Sequence, residues 1–360
     1  MFDATSFARL QSVGLTPQIL RHLTTVAPEG AETNLMRVTE VQREGLTLHD
    51  GEHQHAARAL PALTQGLAAD ADALAVGDWV LADRNGFGEW WAHTRVPPAT
   101  QIARRLYDGR EKATRVVIVS NVDTALLVMG LDNDYNLRRL ERYLALVRMA
   151  GVSAVVVLTK ADLCAQAAAR RREVEMLVPA GVAVVAVNAL GSEPRQALAP
   201  WLAAGQTLVL LGSSGVGKST LTNALTGQAT QDTGGNRQGD SRGRHTTTAR
   251  SLHFAVGGAC IIDTPGLRTL RLDSEAGDIQ GVFDDIAALA LQCRFRDCQH
   301  HDEPGCAVRD GVPPERLRSF HKLLREARRD TLSARQRKEQ VGLWKARGRA
   351  ARANMKAKRG

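Results

Sequence analysis

Nothing in this chain approaches the run of roughly 20 apolar residues that crosses a bilayer, so no membrane partner is expected. The start, Met1-Phe2-Asp3-Ala4-Thr5, lacks the basic cluster and apolar stretch of a secretory signal. Cysteine is scarce: there are five in 360 residues, an odd count that makes no complete disulfide framework, and three of them fall within residues 293–306. That pattern suits a reducing compartment and a metal site, and the cytoplasm is the expected location. Acidic excess is missing too. The net charge is +9, and residues 335–360 alone carry it, with ten Lys or Arg against the single acid Glu339, so the rest of the chain is neutral. A basic tail on a neutral body points to a polyanionic partner, nucleic acid first.

What is present divides the chain by texture. Residues 1–34 show no clear period and read as a loosely docked extension. Residues 35–108 hold short strand-like runs (Met36–Val41, Leu46–His49, Ala73–Ala82, Trp90–His93) punctuated by Gly45, Asp50-Gly51, Gly77-Asp78 and Asn85-Gly86. They predict a small β-barrel, an OB-fold by size, although spacing alone leaves an SH3-like barrel open. Over residues 109–275 apolar strands at Val116–Ser120, Ala125–Met129, Ala154–Leu158, Val182–Val187, Thr207–Leu211 and Ala259–Ile262 alternate with helical patterns such as Leu137, Leu140, Leu144 and Val147. That alternation predicts an α/β domain with a mostly parallel sheet. Residues 276–334 read as mainly helical around a Cys/His cluster, with an amphipathic helix at Leu317–Ala327, and residues 335–360 as a basic tail.

Gly212-Ser213-Ser214-Gly215-Val216-Gly217-Lys218-Ser219 fits G-x-x-x-x-G-K-[ST], with a strand before it and a helix from Thr220 after it. The glycines let successive amides turn toward one anion at the positive end of that helix. Lys218 is placed for the β- and γ-phosphates of a nucleotide and the Ser219 hydroxyl for Mg²⁺. Asp263-Thr264-Pro265-Gly266 follows a strand, where a P-loop protein keeps an acid for Mg²⁺, and the Gly266 amide is a candidate γ-phosphate contact. Between them, residues 232–248 are polar, contain four glycines and end in His245-Thr246-Thr247-Thr248. This segment is expected to be mobile and to supply a threonine, Thr247 by preference, to Mg²⁺ while the γ-phosphate is present. Leu267 stands where Ras-like GTPases place a water-orienting glutamine, so His245 is the local candidate for that task. His245, Thr247 and Lys218 are the candidate catalytic residues.

Thr159-Lys160-Ala161-Asp162, after a strand, resembles the guanine motif N-K-x-D. A carboxylate at Asp162 accepts from both N1–H and the 2-amino group of guanine, which adenine does not offer. Thr159 replaces the usual Asn, and its hydroxyl supplies one contact in place of several. Asn188-Ala189, after the next strand, is a candidate backbone contact to guanine O6. Base motif precedes phosphate loop, the reverse of the usual GTPase order, so the domain is expected to be circularly permuted. Cys293, Cys298, His300 and Cys306 make a Cys₃His set, a closed structural zinc site by type, with His301 the competitor for His300. Mg²⁺ accompanies the nucleotide.

The permuted order together with this Cys/His spacing resembles the RsgA (YjeQ) family, the ribosome small-subunit-dependent GTPases. The likeness runs from Asn121-Val122-Asp123 to about Cys306 and includes Arg244-His245-Thr246-Thr247-Thr248. It implies an N-terminal OB-fold, a permuted GTPase and a zinc subdomain. It further implies binding to the small ribosomal subunit and its rRNA and hydrolysis of GTP to GDP, stimulated by that subunit, late in the subunit's maturation; a monomer is expected. A permuted GTPase serving another RNA or the large subunit is the nearest alternative, and a nucleotide-gated RNA-binding protein is the other.

Overall fold

The structure is a computed structural model that describes residues 4–27, 34–43, 45–107, 113–227, 250–264 and 283–331. The chain divides into two compact units, Met1–Arg104 with Arg115–Leu270, and Arg105–Thr114 with Arg271–Gly360.

The first unit begins with two short helices, α1 (Ala4–Gln11) and α2 (Pro17–Leu23). Thr16 caps α2, its Oγ1 accepting from the Ile19 amide at 3.4 Å, and Pro17 takes the first helical position, where no amide donor is needed. The sequence suggests loose docking here, but Leu10, Val13, Leu15, Ile19 and Leu23 are buried against Leu35, Trp79, Leu81 and Val96. The apolar positions straddle the turn between the two helices, so no single period runs through them.

Five strands follow: β1 (Asn34–Val41), β2 (Leu46–His49), β3 (Gln54–Ala59), β4 (Trp79–Arg84) and β5 (Trp90–Arg95), with α3 (Pro61–Ala69) between β3 and β4. They close in the order β1-β2-β3-β5-β4 and back to β1, with β3 and β5 parallel. This is the small barrel that the turn spacing predicts. Met36, Val38, Leu48, Val80, Ala82 and Ala92 fill it. β1 is covered on its other face as well. There the guanidinium of Arg37 is fully buried, donating to the Val13 carbonyl, to Thr207 Oγ1 at 2.9 Å and to the Asn121 carbonyl at 3.0 Å. A buried cation so enclosed is costly to leave unpaired, and these bonds tie barrel, N-terminal helices and the next sheet together.

After the two-stranded β6 (Gln101–Tyr107) and β7 (Ala113–Ser120) comes a sheet of β8 (Thr124–Gly130), β9 (Ser153–Thr159), β10 (Ala183–Ala186), β11 (Thr207–Leu211), β12 (Ser251–Phe254) and β13 (Cys260–Asp263). Their order is β10-β9-β8-β11-β13-β12, all parallel except β12, which runs antiparallel to β13 and also pairs with β1 at Glu40↔Ser251. Central parallel strands are buried on both faces and so are apolar without alternation; every residue of β8 and β11 is buried. Helices α4 (Leu137–Met149), α5 (Ala167–Leu177), α6 (Glu193–Ala197) and α7 (Lys218–Thr226) connect the parallel strands. The chain winds outward from β8 through β9 to β10, then returns to place β11 on the other side of β8. Ligands of open α/β sheets bind beyond the carboxyl ends of the strands at such a reversal, here between the loops that follow β8 and β11.

The second unit contains α8 (Asp284–Ala290), α9 (Ala307–Gly311) and α10 (Pro314–Thr331). Phe283, Ile286, Val308, Val312, Phe320 and Leu323 are buried in it, with the Phe283 and Phe320 rings edge to face at 5.3 Å. Arg316 clasps Asp285 through two bonds of 2.6 and 2.7 Å.

Candidate nucleotide site and metal cluster

The phosphate loop lies between β11 and α7, as the motif requires. Gly217 is left-handed, with φ +96°, which brings the chain into the helix at a tight angle that a side chain would strain. Lys218 is buried and its ammonium is folded onto the loop, donating to the carbonyls of Gly212 at 3.1 Å and Ser213 at 2.7 Å. Burial pulls this lysine below its usual range, and the carboxylates of Asp263 and Asp134 act against that pull. Ser214 and Gly215 are exposed at the tip, Val216 is packed into the core, and Ser219 and Thr220 are half-buried on the first turn of α7.

Asp263 ends β13, beside the phosphate strand. Burial raises its carboxyl group, opposed by Lys218 and by the Thr264 amide. Its Oδ1 is buried without a hydrogen-bond partner among the described residues. A buried carboxylate oxygen with an open lone pair is a ligand suited to a hydrated divalent cation. Thr264 is fixed from behind, its Oγ1 donating to the Leu210 carbonyl at 2.7 Å. Gly266, His245 and Thr247 lie outside the described residues.

The base motif follows β9 on the same edge of the sheet. Thr159 is fully buried, and its one hydroxyl contact goes to the phosphate loop, donating to the Val216 carbonyl at 2.6 Å. Lys160 has a left-handed backbone, φ 61°, uncommon for a residue with a side chain and a frequent mark of a functional position. Its ammonium donates to Asp132 Oδ2 at 2.6 Å and to the Gly215 carbonyl at 3.0 Å. Ala161 and Asp162 open a single 3-10 turn, with the Asp162 side chain exposed. After β10, the Asn188 amide donates to Glu193 Oε2 at 3.0 Å and Asn188 Oδ1 accepts from the Leu190 amide at 2.9 Å. The intervening Ala189 amide makes no backbone bond among the described residues.

One element of this edge is not visible in the motifs: the loop 131–136 after β8. Its Asp134 Oδ1 accepts from Ser213 Oγ at 2.6 Å and pairs with Arg139 at 2.6 Å. Burial would raise the carboxyl group of Asp132, but the Lys160 ammonium and the Asp134 amide outweigh it and hold the group below the usual carboxylate range. Two aspartates just past the apolar run Ala125–Met129 are the only sequence signal of this role.

In the second unit Cys293, Cys298, His300 and Cys306 present four ligand atoms, all within 4.8 Å of one another. His300 Nδ1 lies 3.6 Å from Cys293 Sγ and 3.5 Å from Cys306 Sγ, and the two sulfurs are 4.0 Å apart. Ligands at ordinary Zn–S and Zn–N lengths on a tetrahedron would be separated by about 3.8 Å (S to S) and about 3.6 Å (S to N), so the cluster fits a tetrahedral metal ion. His300, not His301, joins the set. All five cysteines are free of disulfides.

A family model described as RsgA GTPase matches residues 100–273. A curated relative from Xylella fastidiosa (strain M23), named small ribosomal subunit biogenesis GTPase RsgA, is 45% identical over 293 residues, 80% of this chain and 86% of its own. The solved structure of YjeQ from Thermotoga maritima is similar with a TM-score of 0.59 at 23% identity, covering 82% of this chain and 98% of that one. A second, titled YloQ, a circularly permuted GTPase, gives 0.57 at 19% identity, covering 85% and 99%. The fold is therefore that of the circularly permuted GTPases, and by the extent of its identity to the Xylella relative this chain belongs to the RsgA GTPase family.

Proposed function

We propose that this chain is a GTP-hydrolysing factor that binds the small ribosomal subunit and acts late in its maturation, in the cytoplasm and as a monomer. The observation that carries the nucleotide half is the meeting of base motif and phosphate loop at one crevice, through Thr159 to Val216 and Lys160 to Gly215. The name of the Xylella relative supports the ribosomal half. The barrel is read as an OB-fold, from its strand order and the helix between β3 and β4, and residues 335–360 as a basic segment suited to rRNA phosphates.

In this reading Asp162 takes guanine N1–H and the 2-amino group, and the Ala189 amide takes O6. The phosphate-loop amides and Lys218 hold the β- and γ-phosphates. Ser219 and Asp263, with Thr247, would hold Mg²⁺, which draws charge from the phosphate oxygens when bound. The Cys₃His cluster would hold one zinc ion with a structural role.

Leu267 offers no group that orients water, so the reading assigns that task to His245, with its neutral imidazole as acceptor. In steady-state assays, purified small subunits should raise the turnover of the wild-type protein. His245→Ala should lower that stimulated rate by about 10²-fold or more, as the loss of a positioned base does, with GTP affinity nearly unchanged. Intact stimulated turnover in the variant would remove His245 from the assignment. Absent stimulation of the wild type would favour a nucleotide-gated binding protein.

A further inference from the structure

The loop 131–136 stands at the reversal point of the sheet, facing the phosphate loop across the crevice between β8 and β11. It is anchored from behind by α5: Arg170 Nη1 donates to the Leu131 carbonyl at 2.8 Å, the Arg170 guanidinium lies 4.8 Å over the Tyr135 ring, and Tyr135 donates to Glu173 Oε2 at 2.7 Å. Its front carries the two aspartates. Asp132 reaches the lysine of the base motif and Asp134 the second residue of the phosphate loop. At Gly130 a Cβ would come within 2.5 Å of Asp132 Oδ1, so the strand end leaves the room that carboxylate occupies.

We propose that Asp132 is a positioning residue for guanine nucleotides: it clamps the Lys160 ammonium against the Gly215 carbonyl, so that base loop and phosphate loop are set in their binding geometry before nucleotide arrives. Two observations beyond proximity support this. Lys160 sits in a left-handed conformation that a side chain resists, and its ammonium is held at two partners, by a short charge-assisted bond to Asp132 and an ordinary one to the Gly215 carbonyl. Thr159 adds a second tie between base loop and phosphate loop, but from the buried side. Without Asp132 the ammonium keeps only a neutral carbonyl, and the lysine stem that would flank the base becomes free to rotate. Ordering that stem is then charged to nucleotide binding.

The inference rests on the guanine reading of Lys160 and Asp162, and the test separates the two. Binding of a fluorescent GDP analogue to the full chain would be titrated for the wild type, Asp132→Ala, Lys160→Met and the double variant. Asp132→Ala should weaken GDP about tenfold, the contribution of one charge-assisted hydrogen bond, with preference for guanosine over xanthosine nucleotides retained because Asp162 is untouched. In the Lys160→Met background the same substitution should cost almost nothing, since the group it positions is gone. Asp132→Asn, which keeps shape and loses charge, should fall between wild type and alanine. An Asp132→Ala protein that binds GDP like wild type overturns the proposal. So does a tenfold loss that persists in the Lys160→Met background, because Asp132 would then only support the fold. If Lys160→Met itself leaves GDP binding unchanged, the guanine reading of the base motif fails instead, and the positioning role with it.

Discussion

Replacing Asp162 by asparagine should weaken GTP and GDP binding by about 10²–10³-fold and pass the preference to xanthosine nucleotides. Asp162 is exposed at the mouth of the crevice, and the assignment gives it two bonds to the guanine edge. The amide oxygen of asparagine still accepts from N1–H, but its amide nitrogen then faces the 2-amino donor of guanine. A buried donor–donor encounter costs more than a bond not made, and hydrogen bonds to a charged group contribute about 1.5–3 kcal/mol each. Xanthine has an oxygen at that position, which accepts from the amide. The check is competition binding with GDP and XDP on the same preparation. A variant that retains wild-type GDP affinity would show that Asp162 does not read the base. The substituted side chain is on the surface, so loss of fold does not obscure the result.

The second large effect is expected in the Cys₃His cluster. Cys298→Ser should take metal content from one ion per chain to nearly none and abolish binding to small subunits, while GDP affinity stays close to wild type. Structural zinc sites supply roughly 10–16 kcal/mol of apparent binding free energy in small domains, more than a short segment draws from its own core. In the second unit the cluster and the core are one object: Cys306 and His300 are buried, and the His300 ring lies 6.4 Å from that of Phe320. The loops that form the nucleotide crevice all belong to the first unit, which is why GDP binding should survive. Metal analysis and subunit co-sedimentation on this variant decide the matter. Metal-free protein that still sediments with the subunit in a GTP-dependent way would contradict the role given to the cluster.

Legibility in the sequence followed burial. The central strands β8 and β11 are buried throughout and β9 from Val155 onward, so each carries a plain apolar run, and the motifs at their ends could be placed at once. The strand β3 is Gln-His-Ala-Ala-Arg-Ala, with only Ala57 buried; it is a strand because β2 and β5 flank it, and local propensity gives no sign of that. The antiparallel strand β12, four residues long, is hidden for the same reason. The N-terminal helices are short and bury their apolar residues only because Trp79 and Leu81 of the barrel are there to receive them.

The candidate site divides similarly. Phosphate loop, base motif and cluster ligands are local spacings and appear in any window that contains them. Asp132 and Asp134 act on Lys160 and Ser213, 28 and 79 residues further along the chain, and nothing short of the folded sheet brings those pairs together. Thr159 shows the limit from the other side. Its residue type announces a single hydrogen bond, but only the fold assigns that bond to Val216.

A GTP-hydrolysing factor of the small ribosomal subunit is expected to change its grip on that subunit with the phosphate state of its nucleotide. The most direct measurement is co-sedimentation of the full chain with purified small subunits, in parallel with a non-hydrolysable GTP analogue and with GDP, and with large subunits as control. The account predicts near-stoichiometric binding to small subunits with the analogue, release with GDP and no binding to large subunits. Equal binding in the two nucleotide states, or preference for the large subunit, would contradict it.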